Sequence, residues 1–166
     1  MSDATATAPA AARTGGKFLT FFLGGEEYGV QILRVQEIIG LLPITRVPRL
    51  PGFIRGVVNL RGKVIPIVDL RAKFGLAETE TAETCIIVVA IRGVHIGVVV
   101  DRVSEVADIA GAEIEDAPDF GASVETEFLL GIGKAHGKVR LLLDIERVLS
   151  SEEFAQVREA APGVGA

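Results

Sequence analysis

The first residues to test for chemistry are two glycine–lysine pairs. In "GVVNLRGKV", residues 56–64, Gly56, Gly62 and Lys63 approach the G-x-x-x-x-G-K-[ST] loop whose backbone amides cradle phosphate. Five residues, not four, separate the glycines, and Val64 stands where a hydroxyl would hold magnesium. Apolar strand formers follow, not the helix start that gives such loops their anion affinity. "GIGKAHGKV" at 131–139 lacks the same spacing and hydroxyl. A nucleotide-binding enzyme is thus a poorly supported alternative. Metal and nucleophile chemistry need clustered His, Cys and carboxylates, but His95 and His136 fall in separate segments and Cys85 has no base nearby in sequence. Asp69, Asp101 and Asp144 recur at similar distances after a turn glycine. General acid or base work is conceivable there, and capping the next turn is the plainer role. No catalytic residue, cofactor site or metal site is assigned.

The elements carrying these residues repeat one pattern: a run of strand formers, a glycine turn, a second run. The turns fall at Gly24-Gly25, Arg61-Gly62, Arg92-Gly93 and His136-Gly137. Val, Ile, Phe and Thr dominate the runs, so four hairpins are expected. Further strands are expected around 44–48 and 103–110. Helical signals are short. "LRAKFG" (70–75) ends in cations and Gly75, and "SSEEFAQVREAA" opens on a capping box from Ser150 to Glu153. The fold class is mainly β, with two small barrels divided by the polar "AETETAE" at 77–83. The spans are about 17–76 and 83–149, and the terminal elements are free to cross over. Residues 1–16 read as a disordered Ala/Thr tail, and 156–166 as the end of a C-terminal helix and tail.

The chain is 166 residues long and 49% hydrophobic, enough to bury a sizeable core. Its longest apolar run, "CIIVVAI", has seven residues, far below the roughly 20 that span a bilayer as a helix. The expectation is a cytoplasmic protein without direct membrane insertion. One cysteine excludes an intramolecular disulfide. A net charge of −5 argues against nucleic-acid binding by the whole chain. One Tyr and no Trp leave few stacking platforms for single strands. Charge is unevenly spread along the chain. Residues 31–75 hold eight Lys/Arg against Glu37 and Asp69, while 101–127 hold nine acids against Arg102.

"YGVQILRVQEIIG" (28–40), "ITRVPRLPGFIRGVVNLRGKVIPIVDLRAKFG" (44–75) and "GVVVDRVSEV" (97–106), in that order, closely resemble the CheW family of bacterial chemotaxis coupling proteins. The resemblance runs from about Lys17 to Phe154, so a CheW-like domain is placed at 17–155. It implies two SH3-like five-stranded β-barrels packed together and an adaptor without catalysis. The implied partners are the cytoplasmic tip of a chemoreceptor (methyl-accepting chemotaxis protein) and the regulatory domain of the chemotaxis histidine kinase. The implied place is the cytoplasm, recruited to membrane receptor arrays. A CheW-like scaffold of another receptor–kinase array, for surface motility or second-messenger control, is the nearer alternative.

By motif, the resemblance places Val35 and Glu37 of "RVQEI", and Asn59 and Arg61 of "NLRG", in or beside the receptor groove. A Glu37 carboxylate facing Arg61 would orient the guanidinium. Ile32, Val35, Val98 and Val100 would supply apolar contact to a receptor helical hairpin, with plain barrel core as the competing role for each. The stretch "IEDAPDFG" (114–121) falls on the kinase-facing surface, with Glu115 and Phe120 as contacts. Glu115-Asp116 departs from the basic residue and proline common among relatives, which puts the Glu115 contact in question or points to a kinase of altered charge. Basic and acidic halves would favour head-to-tail joining of homologous modules into rings.

Overall fold

The computed structural model describes residues 15–116 and 128–161. Among these residues the strands are β1 (Gly15–Leu23), β2 (Glu26–Gln31), β3 (Val35–Gly40), β4 (Ile54–Leu60), β5 (Lys63–Asp69) and β6 (Cys85–Ile91). They continue with β7 (Val94–Val100), β8 (Arg102–Ala110), β9 (Ile114–Glu115), β10 (Leu129–Ala135) and β11 (Lys138–Leu143). Helices α1 (Leu70–Lys73) and α2 (Ser151–Ala160) complete the set.

The four expected hairpins form at the expected turns. Each turn has positive φ at both central residues, including 53° at Arg61 and 87° at Gly62. That is the signature of the type I′ turn, whose twist suits two-residue hairpins. The expected strand at 103–110 lies within β8, whereas the region 44–48 supplies only one bridge, Thr45 to Val57. Gly56 explains how close that bridge runs: a Cβ there would stand 2.0 Å from the Thr45 carbonyl oxygen. Gly15 and Gly16, read as tail, belong to β1 and pair with Ala110 and Ile109.

The strands form two sheets. Sheet A runs β8-β1-β2-β11-β10-β9 and sheet B runs β3-β6-β7-β5-β4. Sheet B is thus one continuous stretch, and the first and last strands of the chain share sheet A. The sheets do not part at 77–83, because β5 pairs in parallel with β7 across that segment, while β2 pairs in parallel with β11. Hairpin signals are local and say nothing about which hairpins adjoin.

Three apolar cores result. Phe18, Ile109 and Leu142 fill the inside of sheet A, and Ile65, Ile67, Ile86 and Val99 the inside of sheet B. The largest core lies between the sheets. Along β6, Ile86 and Val88 point into sheet B while Ile87, Val89 and Ile91 point to the inter-sheet core. Period-two alternation with both faces buried produces the continuous run "CIIVVAI". Helix α2 is fixed by its box: Ser150 Oγ accepts from the Glu153 amide at 3.1 Å, and Glu153 Oε1 accepts from the Ser150 amide at 2.9 Å. It lays Phe154, Val157 and Ala160 on the inter-sheet core.

Candidate functional site

Two segments of sheet B meet at the candidate site. Glu37 comes from edge strand β3, just past a register shift between Val35 and Glu37, and Arg61 from the tip of the β4–β5 hairpin. Arg61 Nη2 donates to both carboxylate oxygens of Glu37 at 2.5 Å. The hydrogen bond to Glu37, then its charge, raise the Arg61 pKa further above the ordinary guanidinium value. Asn59 sits under the same tip, its Oδ1 accepting from the Gly62 amide at 2.8 Å. Asn59 therefore holds the turn while Arg61 stands out from it, 69% exposed over a Glu37 that is 30% exposed. A cation in the left-handed region, propped from two sides and open to solvent, is arranged for display and not for packing.

The apolar residues assigned to the site divide. Ile32 and Val35 are half-buried at the margin of the inter-sheet core, so each keeps part of its surface exposed. Val98 is 2% exposed and Val100 0%, and both lie inside that core. This corrects their placement as contacts. On β7 they share a face with Ile96, turned between the sheets, where no partner reaches them. Three exposed apolar side chains were missed: Leu33 at 91%, in the 3-10 turn after β2, Ile38 at 45%, beside Glu37, and Val64 at 46%, on the hairpin carrying Arg61. Ile38 was obscured because it sits in the apolar pair Ile38-Ile39, and only the assembled sheet shows that Ile38 is the exposed one and Ile39 the half-buried one.

Pairing in space removes much of the charge asymmetry along the chain. Asp101 pairs with Arg71 at 3.1 Å, Glu105 with Arg140 at 2.8 Å, and Asp108 with Lys17 at 2.9 Å. Glu115, at the end of β9, pairs with Lys134 at 3.0 Å and is 60% exposed. Arg46, Arg49 and Lys63 have no ion pair among the described residues. Phe120 lies outside the described residues.

The phosphate-loop possibility has no structural support, since Lys63 opens β5, so a strand and not a helix follows the glycine turn. Among the described residues no three His, Cys, Asp or Glu side chains are grouped to hold a metal ion. No helix among them is long and apolar enough to cross a membrane.

Residues 17–153 match the family model described as CheW-like domain. A Klebsiella aerogenes protein named Chemotaxis protein CheW is 43% identical over 159 residues, covering 95% of this chain and 96% of the relative. Protein FrzA of Myxococcus xanthus is 32% identical, covering 86% of this chain and 90% of the relative. The crystal structure of scaffolding protein TtCheW from Thermoanaerobacter tengcongensis superposes with a TM-score of 0.77 at 34% identity, covering 84% of this chain and 96% of that one.

Proposed function

The chain belongs to the CheW-like domain family, and on that premise we propose that it is a non-catalytic adaptor coupling chemoreceptor cytoplasmic tips to a histidine autokinase in chemotaxis arrays. The observation that carries the receptor half is the Arg61 tip, propped by Asn59 and Glu37 beside a margin of apolar side chains. A receptor helical hairpin laid across it would cover Ile32, Val35 and the exposed Ile38, while Arg61 and Glu37 meet polar groups at the rim. Apolar contact supplies affinity, and the charged pair supplies orientation and choice of partner. Such a tip is carried by membrane receptors, so the adaptor works in the cytoplasm at receptor arrays.

The kinase half rests on family likeness and on Glu115 and Phe120. The partner is the regulatory domain of the histidine kinase, joined head to tail in rings. Glu115 is exposed enough to serve, but Lys134 already holds it, so a kinase group at this position must displace or share that lysine. A second reading, a scaffold in a different receptor–kinase array, is supported by the likeness reaching a relative not named for chemotaxis.

Calorimetric titration with a receptor tip fragment tests the proposal. Arg61→Glu weakens binding about ten-fold or more while the melting temperature stays nearly unchanged. Unchanged affinity removes Arg61 from the site.

A further inference from the structure

Apolar packing has no preferred direction, so the large core between sheets A and B does not by itself choose their angle. The described polar contacts between the sheets are few, and one of them starts from a fully buried side chain and ends on Asp101, which is 28% exposed. Arg71, on α1 after β5, is 0% exposed. Its Nε donates to Asp69 Oδ1 at 2.9 Å and its Nη2 to Asp69 Oδ2 at 3.0 Å, a two-pronged grip within sheet B. Its Nη1 reaches the Thr79 carbonyl at 2.7 Å and Asp101 Oδ1 at 3.1 Å. Asp101 joins sheet A directly: its amide donates to the Phe22 carbonyl at 3.0 Å, and its Oδ2 accepts from the Gly24 amide at 2.8 Å.

The other cross-sheet polar contacts involve no fully buried side chain; Lys73 of α1 donates to Glu153 of α2 at 2.7 Å, the two being 19% and 24% exposed. Glu146, after β11, accepts from Arg34 at 2.9 Å and from the Arg92 amide at 3.1 Å, with Arg34 45% exposed. Arg140, the other buried arginine, bonds Glu27 and Glu105, both within sheet A, and therefore does not touch the angle. We propose that Arg71, fixed on Asp69 and reaching Asp101, is the positioning residue that sets the angle between the two sheets and so the shape of the groove at their margin. The groove part of this rests on the receptor-binding reading above. A planar guanidinium with fixed donor directions suits this role, since rotating sheet A, which carries Asp101 and Gly24 together, breaks the bond from Arg71 to Asp101. Ile32 sits in the turn where the chain passes from sheet A to sheet B, so a change of angle moves it relative to Val35 and Arg61, both of which are carried by sheet B.

The test uses the full chain, isotopically labelled, with residual dipolar couplings fitted separately for the amides of each sheet. In the unmodified chain one alignment tensor fits both sheets. In Asp101→Asn, which keeps an acceptor for Gly24 but loses the charge facing Arg71, each sheet fits its own tensor and the two diverge. Asp101→Glu, longer by one methylene, gives a second, different divergence. Lys17→Ala, which breaks an exposed pair within sheet A, leaves one common tensor. Affinity for the receptor tip fragment falls about three- to ten-fold in Asp101→Asn, as expected of a residue acting through others. A common tensor in both Asp101 variants overturns the proposal, because the apolar core alone would then hold the angle. Loss of folding in both variants also overturns it, making the bridge a stability element. If the unmodified chain binds no receptor tip, the receptor reading fails, and the dipolar couplings still decide the role of Arg71.

Discussion

Val98→Ala separates core from contact. Val98 is 2% exposed, pairs in register with Val68 on one side and Ile87 on the other, and faces the inter-sheet core. Truncation to Ala removes two carbon groups, about 1.6 kcal/mol at roughly 0.8 kcal/mol each. The cavity left behind adds to this, because neighbours gripped by two strands relax little, giving about 2 to 3 kcal/mol in all. For a chain of this length each kcal/mol moves the melting temperature by about 2 to 4 °C, so calorimetry reads a fall of roughly 4 to 12 °C. Receptor affinity, measured well below that transition, stays within about two-fold of the parent value, since an apolar truncation out of reach of the partner changes the dissociation rate little. An unchanged melting temperature with a large loss of binding would return Val98 to the groove.

Two further outcomes follow from the same structure. Gly56→Ala combines a φ of +138° with a Cβ set 2.0 Å from a backbone oxygen, so it costs about 3 kcal/mol or more. Urea titration reads that loss, and an unchanged midpoint would mean that the Thr45–Val57 bridge is absent in solution. Acid stability follows Asp69 and Glu153. Burial alone raises both carboxyls, but the hydrogen bonds from Arg71 and Arg55 at Asp69, and from Lys73 at Glu153, leave both below the ordinary carboxylate range. A depressed folded pKa gives stability that is present above the unfolded value, about 4, and lost as pH falls through the folded one. The urea midpoint therefore declines below about pH 4, and Glu153→Gln makes that decline shallower; an equally steep decline removes Glu153 from the account.

Much of the fold was legible because its signals are local. The four turns, the Ser150 box and the cations ending α1 act within a few residues, and the sequence carries them openly. The pairing of β2 with β11 and of β5 with β7 was not legible, since parallel neighbours leave no turn to read. The contact between Glu37 and Arg61 was legible because motifs named both residues. Glu37 and Arg61 meet as expected, because a type I′ tip must project its first central side chain. Val98 and Val100 were misplaced because "GVVV" is apolar on both faces, and the choice between a groove and a second core depends on what lies across it. Ile38 and Val64 were missed for the converse reason, being apolar residues in strands whose exposed face only the assembled sheets define. The charge halves dissolved into pairs, such as Asp101 with Arg71, that join residues distant in sequence.

The most direct test of the adaptor reading is an amide chemical-shift titration of the chain with a chemoreceptor cytoplasmic tip fragment. Saturable shifts are expected to centre on Ile32, Val35, Glu37, Ile38 and Arg61, with Glu115 and Lys134 unmoved. Saturable shifts centred on Glu115 and Lys134, with Glu37 and Arg61 unmoved, would contradict that reading.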